Sequence, residues 1–89
     1  QPIEITGVYL ICNGEIYNYK ELYQLIPDVQ PKTNSDCEII LHLYIRYGIE
    51  QTLKMLDGVF SFVILDTRPT LDENEKTRRK RKLNWFCVL

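Results

Sequence analysis

Asn13 and Gly14 are the neighbouring residues in this chain that are best suited to chemistry. They follow an apolar run, residues 8–12, directly. A side-chain amide beside a backbone N–H on a freely turning glycine offers two hydrogen-bond donors to a developing oxyanion. Losing one such donor typically costs on the order of 10²–10³ in rate. The pair therefore predicts an oxyanion hole, although Asn-Gly in isolation is more typical of a plain turn.

The sequence shows no obvious nucleophile beside this pair. Cys12 lies inside the apolar run with no neighbouring histidine, which favours a buried structural cysteine. Cys37 and His42 are five residues apart on a predicted helix, about 140° around its axis, so they cannot form a dyad. His42 is therefore interpreted as a packed or surface residue. No residue spacing is typical of a metal site.

The cysteine content indicates the environment of the chain. Three cysteines, an odd number, are widely spaced. This pattern predicts no disulfide framework and favours a reducing, cytoplasmic location. The sequence contains no signal peptide and no apolar run long enough to span a membrane.

Helices and strands must position these residues, and their periods predict an α+β fold. Apolar residues recur at helical spacing in three segments and form a strand apolar on both faces in another. A strand of that kind must be covered on each side, which predicts layers of helices and sheet. The predicted elements are a strand over 8–12, helices over 18–26, 35–47 and 49–56, and a strand over 59–65.

The second helix carries its own start and stop signals. Ser35 and Glu38 have the spacing of a capping box, in which each side chain binds the other residue's backbone N–H. Asp36 in the first turn would be stabilised by the helix dipole. Gly48 fits the left-handed position that ends a helix. Leu53 and Leu56 of the following helix are predicted to point inward.

Charge divides the 89-residue chain near Thr67. Residues 1–66 carry nine acids against four bases, whereas residues 67–89 carry seven bases against three acids. The basic run 78–82 could contact a nucleus-import receptor, a nucleic acid or a membrane surface. A solvated, disordered run is the favoured interpretation. We therefore predict no nucleic-acid partner and no membrane partner.

Three segments in this order resemble one enzyme family closely. Residues 13–18, 35–40 and 56–62 are similar to the glutaminase domain of glutamine-hydrolysing asparagine synthetases, which are class II, N-terminal-nucleophile amidotransferases. The resemblance covers residues 1–67. It therefore divides the chain into a partial amidotransferase domain, 1–67, and an unrelated basic tail, 68–89, that we expect to be disordered.

The resemblance implies a fold, a reaction and partners. The fold is an αββα sandwich of the N-terminal-nucleophile hydrolase type, here incomplete at both ends. The reaction is hydrolysis of the glutamine side-chain amide, whose ammonia then amidates aspartate in a second domain. That synthetase domain is the implied partner and would use ATP and Mg; this chain is predicted to hold no cofactor and no metal. The resemblance leaves an oligomer open.

The resemblance also implies roles for four residues. Asn13 would donate to the oxyanion through its side chain, and Gly14 would donate through its backbone N–H. Glu15 and Asp36 would hold the α-amino end of glutamine, because two carboxylates suit an ammonium. Together, Asn13, Gly14, Glu15 and Asp36 are the predicted glutamine-binding residues.

The family's N-terminal cysteine nucleophile and an arginine-containing glutamine loop have no counterpart in this sequence. We therefore expect the 89-residue chain alone to be inactive. A gene-model fragment, with an upstream exon missing and an intron read through after Thr67, is our hypothesis for this pattern. Two alternatives stay open here: another class II amidotransferase, such as those making glucosamine phosphate or phosphoribosylamine, and a non-catalytic fragment that binds glutamine or a partner chain.

Overall fold

A computed structural model describes the backbone of residues 2–71, 79–81 and 84–88, and the side chains of residues 2–68. Helices and strands are mixed along the chain, which confirms the α+β class. The elements in order are β1 (Ile3–Ile5), β2 (Val8–Ile16), α1 (Tyr19–Leu25), α2 (Glu38–Tyr47), α3 (Ile49–Met55), β3 (Gly58–Asp66), β4 (Pro69–Leu71), β5 (Arg79–Arg81) and β6 (Asn84–Val88).

The main sheet is antiparallel, with the strand order β1-β2-β3-β6. Its centre is the pairing of β2 with β3, which runs from Val8 opposite Asp66 to Ile16 opposite Gly58. The first predicted strand thus differs from the structure at its end. It does not stop at Asn13 but continues through Asn13, Gly14 and Glu15, because β3 is long enough to pair with every one of these residues.

One face of this sheet carries the core. Val8, Leu10 and Ile16 of β2 are buried, as are Phe62 and Ile64 of β3. They form one cluster with the apolar residues of the helices, chiefly Leu22, Ile26, Ile39, Ile40 and Leu43. The buried face of β2 and β3 therefore packs directly against the apolar side of α2.

The opposite face of the sheet, which we call the open face, exposes apolar side chains among the described residues. Ile11 of β2 is 62% exposed and Val59 of β3 is 70% exposed. The sequence predicts cover on both faces of β3. Among the described residues, the helices supply it on one face only.

The start of α2 corrects the predicted capping box. The helix begins at Glu38, and the Ser35 hydroxyl accepts a hydrogen bond from the Cys37 N–H at 3.2 Å rather than from Glu38. The Glu38 side chain turns to the preceding loop, where it accepts from the N–H groups of Lys32 (2.8 Å) and Thr33 (2.6 Å). Local spacing suggested a cap, but a fully buried carboxylate needs more donors than a cap provides.

The end of α2 confirms the predicted stop at Gly48, and α3 corrects another prediction. Gly48 has a positive φ of 86°, but its ψ of 172° is extended rather than left-handed helical. Leu53, predicted to point inward, is 40% exposed, and Thr52 takes the buried position instead. The Thr52 hydroxyl donates to the Gly48 carbonyl at 2.7 Å, which satisfies its polar group within the fold.

Beyond Thr67 the structure differs from the expectation of a tail without packing. Arg68 donates through Nε and Nη2 to both carboxylate oxygens of Asp66, at 3.0 and 2.8 Å. Further along, β4 pairs with β5, and β6 joins β3, with Phe86 opposite Ile64. Residues 72–78, 82, 83 and 89 lie outside the described residues, and the domain boundary at Thr67 stays a prediction.

Candidate functional site

Two glycines bring β2 and β3 unusually close at the predicted oxyanion hole. A Cβ on Gly14 would collide with the Val59 carbonyl oxygen, and one on Gly58 would collide with the Glu15 carbonyl oxygen. Gly14 also has a φ of 124°, which L side chains rarely adopt. Glycine is therefore required at this crossing by both space and conformation.

Asn13 and Gly14 border a shallow cleft on the open face of the sheet. The cleft has a volume of about 360 Å³, and Val59, Phe60 and Ser61 of β3 complete its lining. Asn13 is exposed there, directly opposite Ser61 in the strand register. The predicted oxyanion amide thus points to solvent beside a site large enough for a small polar molecule.

Asp36 reaches the same strand from the helical side. Its Oδ2 accepts a hydrogen bond from the Ile16 N–H at 2.7 Å. Ile16 follows Glu15 directly, so the two carboxylates predicted to bind one ammonium come to the same end of β2. Glu15 is exposed and Asp36 is half-buried, and no cation is paired with either of them within residues 2–68.

Asn18 is a positioning residue that sequence reasoning missed. Its side-chain oxygen accepts from the Asp57 N–H at 3.0 Å, and its side-chain nitrogen donates to the Met55 carbonyl at 2.8 Å. The Tyr17 N–H donates to the Asp57 carbonyl at 2.7 Å. These bonds tie the end of β2 to the turn that starts β3. The available signal was an asparagine at the predicted start of the helix over 18–26, and its spacing to Met55 and Asp57 is too long for a local pattern.

Cys12 and Cys37 meet on the helical side of β2, a pairing that the sequence did not predict. Their Sγ atoms lie 2.7 Å apart, with Cys37 buried and Cys12 half-buried. Burial raises the pKa of the Cys12 thiol well above its usual value, and the neighbouring Cys37 and Asp36 raise it further. A thiol with this pKa is a poor thiolate donor at neutral pH, which argues against Cys12 as the nucleophile.

His42 belongs to the structural core rather than to this site. Its Nε2 lies 2.7 Å from Glu38 Oε2, one turn earlier on α2. It makes no pair with Cys37, in agreement with their angular separation on the helix. Its partner carboxylate is fully buried.

A larger cleft of about 430 Å³ lies elsewhere, between α1 and the loop before α2. Tyr19, Tyr23 and Pro31 are among its lining residues. It contains none of Asn13, Gly14, Glu15 and Asp36, and its size alone does not make it the site of the chemistry.

The described part of the chain lacks two further kinds of feature. No group of three or more His, Cys, Asp or Glu residues there could hold a metal ion. None of the helices described is long and apolar enough to cross a membrane.

The sequence of the site belongs to a known class of domain. Residues 1–72 match the family described as the glutamine amidotransferase domain. The match covers most of the chain and extends past the predicted boundary at Thr67. This chain therefore belongs to the glutamine amidotransferase domain family.

Three curated relatives within that class carry the same name. The chain is 57% identical to the glutamine-hydrolysing asparagine synthetase of Triphysaria versicolor, 54% identical to that of Mesocricetus auratus and 51% identical to that of Asparagus officinalis. Each match extends over 70 residues, about three quarters of this chain. The chain spans 12% of the length of these curated relatives.

Proposed function

We propose that this chain is a part of the glutamine-binding half of an asparagine synthetase. The hydrogen bond from the Ile16 N–H to Asp36 is the observation that carries the proposal, because it holds Asp36 beside the strand bearing Asn13, Gly14 and Glu15. Asn13, Gly14 and Glu15 are consecutive on β2 and are neighbours in any fold. Only the tertiary fold adds Asp36, whose carboxylate binds Ile16 across 20 residues of sequence.

Glu15 and Asp36 suit the α-ammonium group of glutamine. A cation between two carboxylates gains charge-assisted hydrogen bonds, which are roughly twice as strong as neutral ones. In this proposal the two carboxylates bind the positively charged α-ammonium group of glutamine. Asn13 and Gly14 lie nearer the side-chain amide of the substrate. The relatives' shared name favours this branch of the family over the amidotransferases that make sugar phosphates or phosphoribosylamine.

The open face of the sheet supports the sandwich fold that the resemblance implies. Ile11 and Val59 expose apolar surface on that face, whereas helices bury the other. A second sheet packed about 10 Å away would cover these residues and would enclose the cleft at Asn13. We therefore propose that the family's second sheet occupies this face in the complete domain.

The chemistry follows from a nucleophile supplied at the cleft. In the proposed reaction a cysteine thiolate attacks the glutamine amide carbon, and Asn13 and Gly14 stabilise the resulting oxyanion. Ammonia leaves, and water releases glutamate from the thioester. The synthetase domain would use ATP and Mg to activate aspartate for the ammonia. Burial raises the pKa of the Cys12 thiol, so we expect the 89 residues alone to bind glutamine without hydrolysing it.

Glutamine titration of the ¹⁵N-labelled chain tests the proposal. We expect fast-exchange NMR shifts at residues 13–16 and at Asp36, and no ammonia release above a buffer blank. The matched ligand is 4-carbamoylbutanoate, which is glutamine without its α-amino group. The Glu15→Gln variant should lose about tenfold in glutamine affinity while its affinity for the analogue stays unchanged, because only the ammonium contacts the carboxylate.

Two results would contradict the proposal. Equal affinity of the wild-type chain for glutamine and for the amine-free analogue would remove the role of Glu15 and Asp36. Ammonia release by the isolated chain would remove the assignment of the nucleophile to a residue outside it.

A further inference from the structure

The thiol pair Cys12–Cys37 connects two parts of the chain that the proposed site needs in register. Cys12 lies on β2 immediately before Asn13, and Cys37 immediately follows Asp36. Their sulfurs are 2.7 Å apart although the residues are 25 positions apart in sequence. Cys37 Sγ also lies 3.9 Å from the carbonyl oxygen of Gly14. The contact therefore joins the two peptide segments that carry the predicted site residues.

Packing alone does not require two sulfurs at this spot. A buried cysteine packs as a small apolar residue, and a sulfur is not needed for that role. A metal site would need further ligands, which the described residues do not supply. Two thiols whose sulfurs are in contact instead have the sulfur proximity that disulfide formation requires.

We propose that Cys12 and Cys37 are a reversible redox pair that forms an intrachain disulfide by exchange with a small-molecule disulfide. One cysteine thiolate attacks a sulfur of the small disulfide and displaces one thiol. The second cysteine thiolate attacks the mixed disulfide and displaces the other. Two protein thiols are oxidised, one small disulfide is reduced to two small thiols, and the two S–H protons end on those products.

The burial of the pair sets how fast this exchange runs. Cys12, the half-buried member, is the sulfur nearer solvent. Its raised pKa keeps it protonated at neutral pH, so exchange should be slow there and faster as the pH rises. A reducing compartment keeps both cysteines as thiols, and a higher ratio of small-molecule disulfide to thiol converts them to the disulfide.

Oxidation would also act on the proposed glutamine site, an extension that rests on the proposed function. The disulfide would fix Asp36 against β2, because Asn13 directly follows Cys12 and Asp36 directly precedes Cys37. A pre-organised site loses less conformational freedom on binding. We therefore expect the oxidised chain to bind glutamine more tightly than the reduced chain, by about threefold to tenfold.

Disulfide mapping of the full 89-residue chain tests the pair directly. The chain is equilibrated with oxidised and reduced glutathione, quenched in acid, alkylated and digested with trypsin. Cleavage after Lys20, Lys32 and Lys82 places Cys12, Cys37 and Cys87 in three separate peptides. The same reaction in urea gives the pairing set by loop length alone, which already favours the shorter loop.

In the folded chain we expect the ratio of Cys12–Cys37 to the other pairings to be at least about tenfold higher than in urea. Cys87→Ser should leave the Cys12–Cys37 disulfide intact. Cys12→Ser and Cys37→Ser should each leave only mixed glutathione adducts or pairs with Cys87. Equal ratios in buffer and in urea would overturn the proposal.

The glutamine affinity of the reduced and oxidised chains is measured separately from the disulfide mapping. A disulfide that forms without any change in glutamine affinity would retain the redox pair and remove its link to the site. If neither redox form binds glutamine, the proposed function fails while the mapping result still decides the redox pair.

Discussion

Four carboxylates of this chain divide into two contrasting pairs. Glu38 and Asp66 are buried, and each has several partners from its own chain. Glu15 is exposed, and Asp36 is half-buried with one backbone bond. The first pair is satisfied by the fold, whereas the second has bonding capacity to offer a ligand. Residue type alone does not distinguish the pairs.

The pKa values of the buried pair reflect their partners. Burial opposes ionisation of Glu38, yet hydrogen bonds from His42, Lys32 and Thr33 hold its pKa below the usual value. The Arg68 guanidinium lowers the pKa of Asp66 to about 2, with help from the Tyr44 hydroxyl. Both groups stay charged at neutral pH because the charge is what their neighbours bind.

Removing Glu38 should have the largest effect. Glu38→Ala leaves two backbone N–H groups and His42 without their acceptor in a buried place. We expect a loss of about 3–5 kcal/mol in the free energy of unfolding, measured by urea denaturation. Glu21→Ala, at an exposed position of α1, is the matched control and should change stability by about 0.5 kcal/mol or less. Similar losses for both variants would show that Glu38 is not a structural anchor.

The backbone of the site strand should be the next most sensitive feature. Gly14→Ala puts a Cβ into the Val59 carbonyl and should cost at least about 2 kcal/mol. Gly48→Ala is the control, because it shares a positive φ but has nothing within 4 Å of its added Cβ. We expect about 1 kcal/mol there from conformation alone. Equal costs by thermal denaturation would contradict the close strand approach.

Acid should remove the contribution of Asp66 to stability. Its folded pKa of about 2 lies below the ordinary 3.8, so its contribution is complete above pH 4 and disappears as the pH falls towards 2. Because Arg68 is partly exposed, we expect about 1–2 kcal/mol rather than the full value of the shift. Wild type should exceed Asp66→Asn by this amount at pH 5 and by little at pH 2. A constant difference across that range would refute the assignment.

Glu15 should show the smallest effect on stability. Glu15→Gln changes an exposed group, so the free energy of unfolding should stay within about 0.5 kcal/mol of wild type. Circular dichroism melts measure this on the same samples used for glutamine titration. A large loss of stability would place Glu15 with the buried pair and would end the contrast.

Several elements could be predicted from the sequence because their signals are local. The stripe of α2, the stop at Gly48 and the apolar run of β3 depend on residues a few positions apart. The order of the Asn13, Asp36 and Asp57 segments also identified the family. These predictions needed no knowledge of which elements touch.

Predictions that depended on distant partners were less successful. The spacing of Ser35 and Glu38 suggested a capping box, but the carboxylate binds the loop at Lys32 and Thr33. Strand β2 was predicted to stop at Asn13, but pairing with β3 extends it to Ile16. A local pattern indicates possible hydrogen-bond partners for a polar group. Which of them it binds depends on the groups that lie near it once it is buried.

By itself, the sequence determined the family and the helical periods, and it predicted the four residues that we propose bind glutamine. Only the tertiary structure decided that Asp36 binds Ile16, that Cys12 meets Cys37 and that Asn18 holds the turn at Asp57. The reason is that these contacts join residues 20 to 39 positions apart. Their formation depends on how sheet and helices pack, which no local spacing encodes.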